Sequence, residues 1–454
     1  MELGEALRAV GGDAERSESF EVFARSLDIE WVRHALHATG SASIRRRKLP
    51  AESMVWLVIG MALLRDRSIE EVVHHLDLVL PEFKAASPRG GPTRGAIIEA
   101  RHRLGWGALA VLFIETARRW AGDAATAHRW RGLAVYGVDG TTLLTPDTED
   151  NDQTFGRPRS GRSDGAYPQL RLVALMVLRA HLLADFAVGP CDSSEQTLAH
   201  KLWETLPDHS LCIVDKGFIN YVVFHSIHSQ GAQRHWLCRA KANLQWRVVR
   251  SLGPGDDLVE IPLNRALRKA HPDLPEHLPA RAIRYQRRGF RPQTLLTSLL
   301  DPLASPAPEI IALYHERWEL ELGFDEIKTH TLERTETLRS KAPDRILQEL
   351  WGLAIAYNLV RLEMLQVAQR LRLPPSRISY RHALMLVRSF LLGAWLASPG
   401  VLPKRLEQLH EEVALLVLPE RRARSYARVV KIKMSGYRKK PLPKRPSTLR
   451  KPLN

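Results

Sequence analysis

LAVYGVD at residues 133–139, with LRLVALMVL at 170–178, HLLADFAV at 181–188 and LCIVD at 211–215, decides the fold of this chain. Each run is short, aliphatic and bounded by polar or turn residues, the pattern of a strand. Two of them end on an aspartate, Asp139 and Asp215. After the third run, SSEQTLAHKLWETL opens with Ser193 and Gln196 at capping-box spacing and reads as a helix. A further helical stretch runs from about Ile219 to Gly231. Three strands, a helix, a strand and a helix predict an α/β layer arrangement, in which strand-end carboxylates lie where ligands bind.

Upstream, residues 1–130 read as a helical N-terminal domain. SFEVFARSLDIEWVRHALHAT and PAESMVWLVIGMALLRDRSIEEVVHHLDLVL repeat apolar positions at three and four, with Pro50 at a helix start and the basic cluster Arg45–Lys48 before it. Thr93 is placed to cap a helix that Gly105 ends, carrying Arg94, Arg101 and Arg103. As the second helix of a helix-turn-helix it would set those arginines against DNA; an arginine-rich surface helix has an equal claim. Residues 233–308 show several strands and no clear helix, a β-rich insertion that divides the α/β unit into 131–232 and 309–370. Residues 371–454 form a helical C-terminal region. From Arg421 onward it holds 13 lysines and arginines, several prolines and no acidic residue, which predicts a flexible basic tail.

The totals narrow the function classes. A length of 454 residues suggests roughly two to four domains. A net charge of +16 and a pI near 10.0 point to a polyanionic partner, nucleic acid first. The longest apolar run, Met54 to Leu64, has 11 residues and is too short to span a bilayer. The acidic N-terminal stretch carries no apolar signal core, so a cytoplasmic protein is expected, associated with the nucleoid when on DNA. Cys191, Cys212 and Cys238 lack paired spacing and read as reduced thiols, with neither disulfides nor a zinc site.

A second stretch, YHERWELELGFDEIK at Tyr314–Lys328, carries the polar chemistry. At helical periodicity Tyr314, Arg317, Glu321 and Lys328 fall within an arc of roughly 60°, beside an apolar face of Leu313, Leu320, Phe324 and Ile327. One side packs on a core and the other presents a carboxylate flanked by cations, a layout that also describes an ordinary amphipathic helix with a solvated face. Asp325 shares the face of Glu321 within about 40°, so spacing leaves both as candidates for a third carboxylate beside Asp139 and Asp215. Such a trio is an all-oxygen donor set for two hard Mg²⁺ or Mn²⁺ ions, the arrangement for in-line displacement at phosphorus. The acidic run Asp147, Glu149, Asp150 and Asp152 lacks the glycine and terminal glutamate of a calcium loop and reads as a solvated loop.

In these residues the chain resembles the DDE transposases of the insertion-sequence-four type. Their signature, Y-(2)-R-(3)-E-(6)-K, is matched in full by Tyr314, Arg317, Glu321 and Lys328. DGTT around Asp139, FGRP at 155–158, YPQLRLVAL at 167–175, VDKGF around Asp215, TSLLDP before the signature and ELWGLAIAYNLVR after it extend the resemblance over nearly the whole chain. It implies a ribonuclease-H-like core whose catalytic, metal-binding triad is Asp139, Asp215 and Glu321. Tyr314, Arg317 and Lys328 would hold DNA phosphates at the transposon end, with Trp318 as a packing residue. The implied reaction is nicking at the inverted repeats, then transfer of the freed 3′-hydroxyl into target DNA, by a homo-oligomer that is a dimer on DNA. Related enzymes pass through a DNA hairpin and receive a flipped base on an aromatic residue of the insertion. QTLLTSLL holds no tryptophan, which leaves Trp236, Trp246, Tyr285 and Phe290 for that role. A metal-dependent nuclease without strand transfer and a non-catalytic DNA-binding relative are the rival readings.

Overall fold

The computed structural model describes residues 26–43, 49–78, 92–160, 163–165, 167–263, 265–272, 274–287, 290–333, 337–394 and 401–420; Arg45–Lys48 and the basic tail lie outside them. Its centre is a sheet of nine strands. Along the chain these are β1 (Ala134–Leu144), β4 (Gln169–Val177), β5 (Leu182–Pro190), β6 (Ser210–Val214), β7 (Arg234–Arg239), β8 (Arg247–Gly253), β9 (Asp256–Pro262), β10 (His277–Tyr285) and β11 (Gln293–Thr297), with β2 (Arg159–Ser160) and β3 (Ser163–Asp164) forming a separate small hairpin. The spatial order is β5-β4-β1-β6-β7-β11-β10-β9-β8. β5, β4 and β1 pair antiparallel, and β6 and β7 follow β1 in parallel. Three antiparallel strands extended by two parallel ones form the expected ribonuclease-H-like core.

The strands differ from the sequence reading in two places. β1 does not end at Asp139: it runs on to Leu144, because Gly140 to Leu144 keep antiparallel partners from Val173 to Gln169. Only its parallel partnership with β6 stops there, at Val138 opposite Val214. The first strand of the β-rich segment also belongs to the core sheet. β7 pairs with β6, and β11 continues that sheet outward to the antiparallel β10, β9 and β8. A short helix, Arg265–Ala270, stands in this segment where none was expected.

Among the described residues five helices precede the sheet: α1 (Ile29–Ala38), α2 (Ala51–Leu63), α3 (Ile69–His75), α4 (Arg94–Leu104) and α5 (Gly107–Ala127). α3 opens with a formed capping box between Ser68 and Glu71, while α4 has Thr93 as its cap and Gly105 at its end, as its sequence predicts. Within the sheet domain come α6 (Glu149–Phe155), α7 (Glu195–His200), α8 (Tyr221–Ser229) and α9 (Arg265–Ala270). α10 (Ala307–Tyr314), α11 (Trp318–Asp325), α12 (Pro343–Leu371), α13 (Tyr380–Ala394) and α14 (Leu402–Ala414) complete the described elements. The box predicted from Ser193 and Gln196 does not form. α7 begins at Glu195, and the Gln196 amide instead donates to the Gly217 carbonyl, 2.7 Å away, just past Asp215.

The apolar run of α2 is explained by its position, buried on nearly every side and packed on the 29-residue α12. A polar network seals the same junction. Glu349 on α12 meets Arg65 at 2.8 Å, accepts the backbone N–H groups of Arg339 and Ser340, and accepts the Ser340 hydroxyl at 2.8 Å. Arg101, expected on a DNA-facing surface, is turned into this junction: it is 6% exposed and donates to Gln348 (2.8 Å) and Ser340 (3.2 Å). Burial pushes its pKa down to about 10, which the nearby Glu349 carboxylate opposes. Only Arg94 and Arg103 of the three arginines are exposed.

Removing Glu349 would strand Arg65 and three donors without water. We expect Glu349→Ala to cost about 3–5 kcal/mol in urea unfolding, and Glu349→Gln, which keeps one acceptor, to cost less. A loss within about 0.5 kcal/mol for both would mean that the network does not hold these regions together.

Candidate active site

Two aspartates reach the site through strand pairing. Val138 of β1 lies opposite Val214 of β6, so Asp139 and Asp215 follow at the same level on adjacent parallel strands. Beyond this pair the half-exposed end of β1 begins, and Asp215 leads into a 3₁₀ turn at Lys216–Phe218. The third acid comes from α11, which crosses β1 closely because residue 137 has no side chain. A Cβ on Gly137 would stand 2.6 Å from a Leu320 methyl and 2.7 Å from one of Leu178. Leu313, Leu320, Phe324 and Ile327 are buried, as their spacing predicts.

The signature stretch is not one regular helix. α10 ends at Tyr314, His315–Arg317 form a 3₁₀ turn, and Glu326–Thr331 form a π-helical turn after α11. The tight and wide turns break the uniform 100° step, so the four signature residues do not share one solvated face. Tyr314 is buried at 7% exposure, whereas the Glu321 side chain is 42% exposed. Burial pushes the Tyr314 hydroxyl up to about 12, against the opposing charges of Arg317 and Arg239. Arg317 is drawn inward to 14% exposure and joins the two remaining acids: its guanidinium lies 2.8 Å from Glu321 and 3.6 Å from Asp139. Lys328 sits half-buried in the π turn. Asp325 is exposed and accepts from the Thr329 hydroxyl at 2.5 Å, while Glu321 is the carboxylate tied to Asp139 through Arg317. Trp318 is not a packing residue: it is 54% exposed, with its ring 5.4 Å from the Arg317 guanidinium carbon.

A buried ionic network holds α11 from behind. His181, at the left-handed φ of +56°, sets Nε2 2.7 Å from Glu319 and Nδ1 3.3 Å from Glu326. Glu326 also accepts from the Tyr357 hydroxyl at 2.7 Å and faces Arg361 at 3.3 Å, and Arg361 donates twice to the Ala180 carbonyl. Burial alone would raise Glu326, but Arg361 and His181 bring it down to about 2. For His181 burial pulls the pKa down, and Glu326 with the two carboxylate hydrogen bonds turns the net shift upward.

Sequence reading missed two neighbours of the site. Glu195 on α7 adds negative potential at Asp139, and Arg239 ends β7 one strand over from Asp215. The available signal for Arg239 was positional, since it closes HWLCR as Asp215 closes LCIVD. Of the four aromatics named for a flipped base, Trp236 is excluded: it is fully buried and stacked on Phe224 at 4.0 Å. Tyr285 meets His315 edge-on at 6.0 Å, Trp246 is half-buried, and Phe290 is exposed.

Comparison with known proteins shows the family. The profile of insertion element 4 transposase N-terminal regions matches residues 17–114, and that of the transposase DDE domain matches residues 130–359. The transposase InsG for insertion sequence element IS4, of Escherichia coli (strain K12), is 37% identical over 434 residues, covering 95% of this chain and 96% of that protein. The chain belongs to the insertion element 4 family of DDE transposases. A cryo-EM structure of a piggyBac transposase synaptic complex with hairpin DNA has 8% identity and a TM-score of 0.42, over 90% of this chain and 87% of that one. The transposase is therefore an enzyme of DNA transposition that depends on divalent metal and acts on DNA. Among its described residues no helix is long and apolar enough to cross a membrane. The three cysteines are buried and unbonded to one another, and burial pushes the Cys212 and Cys238 thiols up.

By donor chemistry, three carboxylates suit a hard cation, although among the described residues no three such side chains are already arranged around one point. Burial raises the Asp139 carboxyl to about 6; the Gly140 N–H and Arg317 oppose the shift, and the charges of Glu195 and Asp215 add to it. Such a site is short of positive charge. In chelator-treated protein the consequence has a definite sign. A carboxyl at about 6 instead of 3.8 favours the folded state when protonated, so its contribution is present below pH 3.8 and lost as pH rises through 6. Asp139→Asn should therefore stabilise the transposase by on the order of 2 kcal/mol at about pH 8, with the gain gone near pH 3.5. Paired denaturant curves at the two pH values measure it; a loss of stability at the higher pH would contradict the assignment.

Proposed function

We propose that Asp139, Asp215 and Glu321 hold two Mg²⁺ or Mn²⁺ ions, and that the transposase uses them to cut DNA at the inverted repeats of its element and join the freed 3′ ends to target DNA. The observation that carries this reading is that Asp139 and Asp215 directly follow the last parallel pair of β1 and β6, Val138 opposite Val214, with Arg317 linking Asp139 to Glu321 across the sheet–helix gap. When bound, the ions supply an activated water or 3′-hydroxyl and offset charge on the leaving oxygen. The protein's part is positioning. Strand pairing fixes two carboxylates, the Gly137 contact and the His181 network fix the rotation of α11, and the low exposure around Asp139 strengthens every charge that faces it.

Arg317 and Lys328 serve as phosphate donors in this reading, one planar and bidentate, the other a point charge on a flexible stem. Tyr314, buried with its proton firmly held, contributes an O–H donor and never a phenolate at neutral pH. Arg94 and Arg103 remain DNA contacts for the N-terminal domain, and Arg101 leaves that role. Two element ends need two active sites, so the working form is a dimer on DNA, in the cytoplasm and on the nucleoid. If a hairpin forms, Phe290 and Tyr285 are the aromatics of the insertion best placed to receive a base.

One assay tests the reading. An end-bearing plasmid with Mg²⁺ should give cleaved and joined products, and Asp139→Ala, Asp215→Ala and Glu321→Ala should each reduce them by roughly a thousandfold or more, about 4 kcal/mol of barrier. Cleavage without joining would support a nuclease, and binding without cleavage would sink the enzymatic assignment for this copy. Lys328→Ala should weaken end binding and lower the salt slope by ~1 for each phosphate it no longer neutralises; an unchanged slope would remove it from the DNA face.

A further inference from the structure

We infer that Arg317 is the occupant a divalent cation must displace, so that loading of metal into the site depends on DNA. The inference rests on Asp139 and Glu321 being metal ligands, as proposed above. An arginine and a glutamate four residues apart on a helix pair commonly, and that contact alone would mean little. Here the same guanidinium also faces Asp139 from another element, at 3.6 Å, while its 2.8 Å bond turns Glu321 toward it. A monovalent planar cation thus bridges the two acids that a metal ion would bridge. Among the described residues no three His, Cys, Asp or Glu side chains are arranged to hold a metal ion, and Glu321 instead accepts from Arg317 at 2.8 Å.

The two cations exclude one another. Mg²⁺ binds carboxylate oxygen at about 2.0–2.1 Å and demands near-octahedral space, which a guanidinium hydrogen-bonded to the same oxygen denies it. Like charge adds repulsion in a site where Asp139 is largely withdrawn from water. A DNA phosphate offers Arg317 another acceptor of matching fork geometry. Once the guanidinium turns to phosphate, Glu321 is released and the acids converge on the ion. Before DNA arrives, Arg317 keeps the acids compensated and the site unable to assemble its metal cage. The order of events is DNA first and metal second.

Full-length transposase tests this through Mn²⁺ binding, read from the free-ion electron paramagnetic resonance signal. The comparison sets wild type against Arg317→Ala and Arg317→Gln, with and without a duplex carrying the element's inverted repeat, after thermal melting has shown that each variant is folded. Without DNA both variants should bind Mn²⁺ about tenfold more tightly than wild type. The duplex should raise wild-type affinity by a similar factor and leave that of the variants unchanged. The gain should disappear in Arg317→Ala/Glu321→Ala. Equal or weaker binding by both single variants, a wild-type affinity indifferent to the duplex, or a gain that survives in the double variant would each overturn the displacement. Failure of the underlying ligand assignment looks different: Glu321→Ala alone would then cleave DNA and bind Mn²⁺ like wild type.

Discussion

The proposed catalytic centre hangs from one parallel strand pair. Because Val138 lies opposite Val214, two acids separated by 76 residues of chain emerge side by side at one level of the sheet. Side chains in a strand alternate faces, so a slip of one residue would send either aspartate to the wrong side. The pairing sits in a buried stretch of both strands, where such a slip would also expose apolar residues to water. Core packing and catalytic register are thus enforced by the same free energy.

Charge is handled in two contrasting ways. Behind α11 and at the α2–α12 junction, buried acids are compensated: Glu326 by His181, Arg361 and Tyr357, and Glu349 by Arg65 and Ser340 with backbone donors. Those networks are finished objects and resist change. At Asp139 the compensation is partial, since one arginine at 3.6 Å faces a group that also feels Glu195 and Asp215. The difference separates structural from chemical use of buried charge, because only an unfinished arrangement has something to gain from a ligand.

Much of this was legible in the sequence, and the misses share a cause. The strand runs that carry Asp139 and lead up to Asp215, though not the end of the first, the apolar face at Leu320 and Phe324, and the Thr93 and Gly105 boundaries are local signals written in a few adjacent residues. The Y-R-E-K spacing selected Glu321 over Asp325, which helical periodicity alone did not separate. What failed were several inferences about which way a side chain faces. Arg101 looked like a DNA contact and is a buried strut; Trp318 looked like packing and stands in solvent; Ser193 and Gln196 looked like a cap, and Gln196 reaches another loop. Those orientations are decided by partners outside the local stretch, 247 residues away for Arg101 and 21 for Gln196, or by the 3₁₀ and π turns that disturb an ideal helical wheel.

The junction around Glu349 has a consequence for length. Arg65, Arg101 and the backbone of Met61 and Arg67 on one side, and Ser340, Arg339 and Gln348 on the other, bind the N-terminal helices to the core through directional bonds that tolerate little sliding. Whatever duplex those helices grip is then held at a fixed offset from the paired aspartates. On the proposed function the protein works as a calliper, with one jaw on the helical domain and the other at the ends of the inner strands β1 and β6. The distance in base pairs between grip and cut becomes a property of folded geometry, set before any DNA is met.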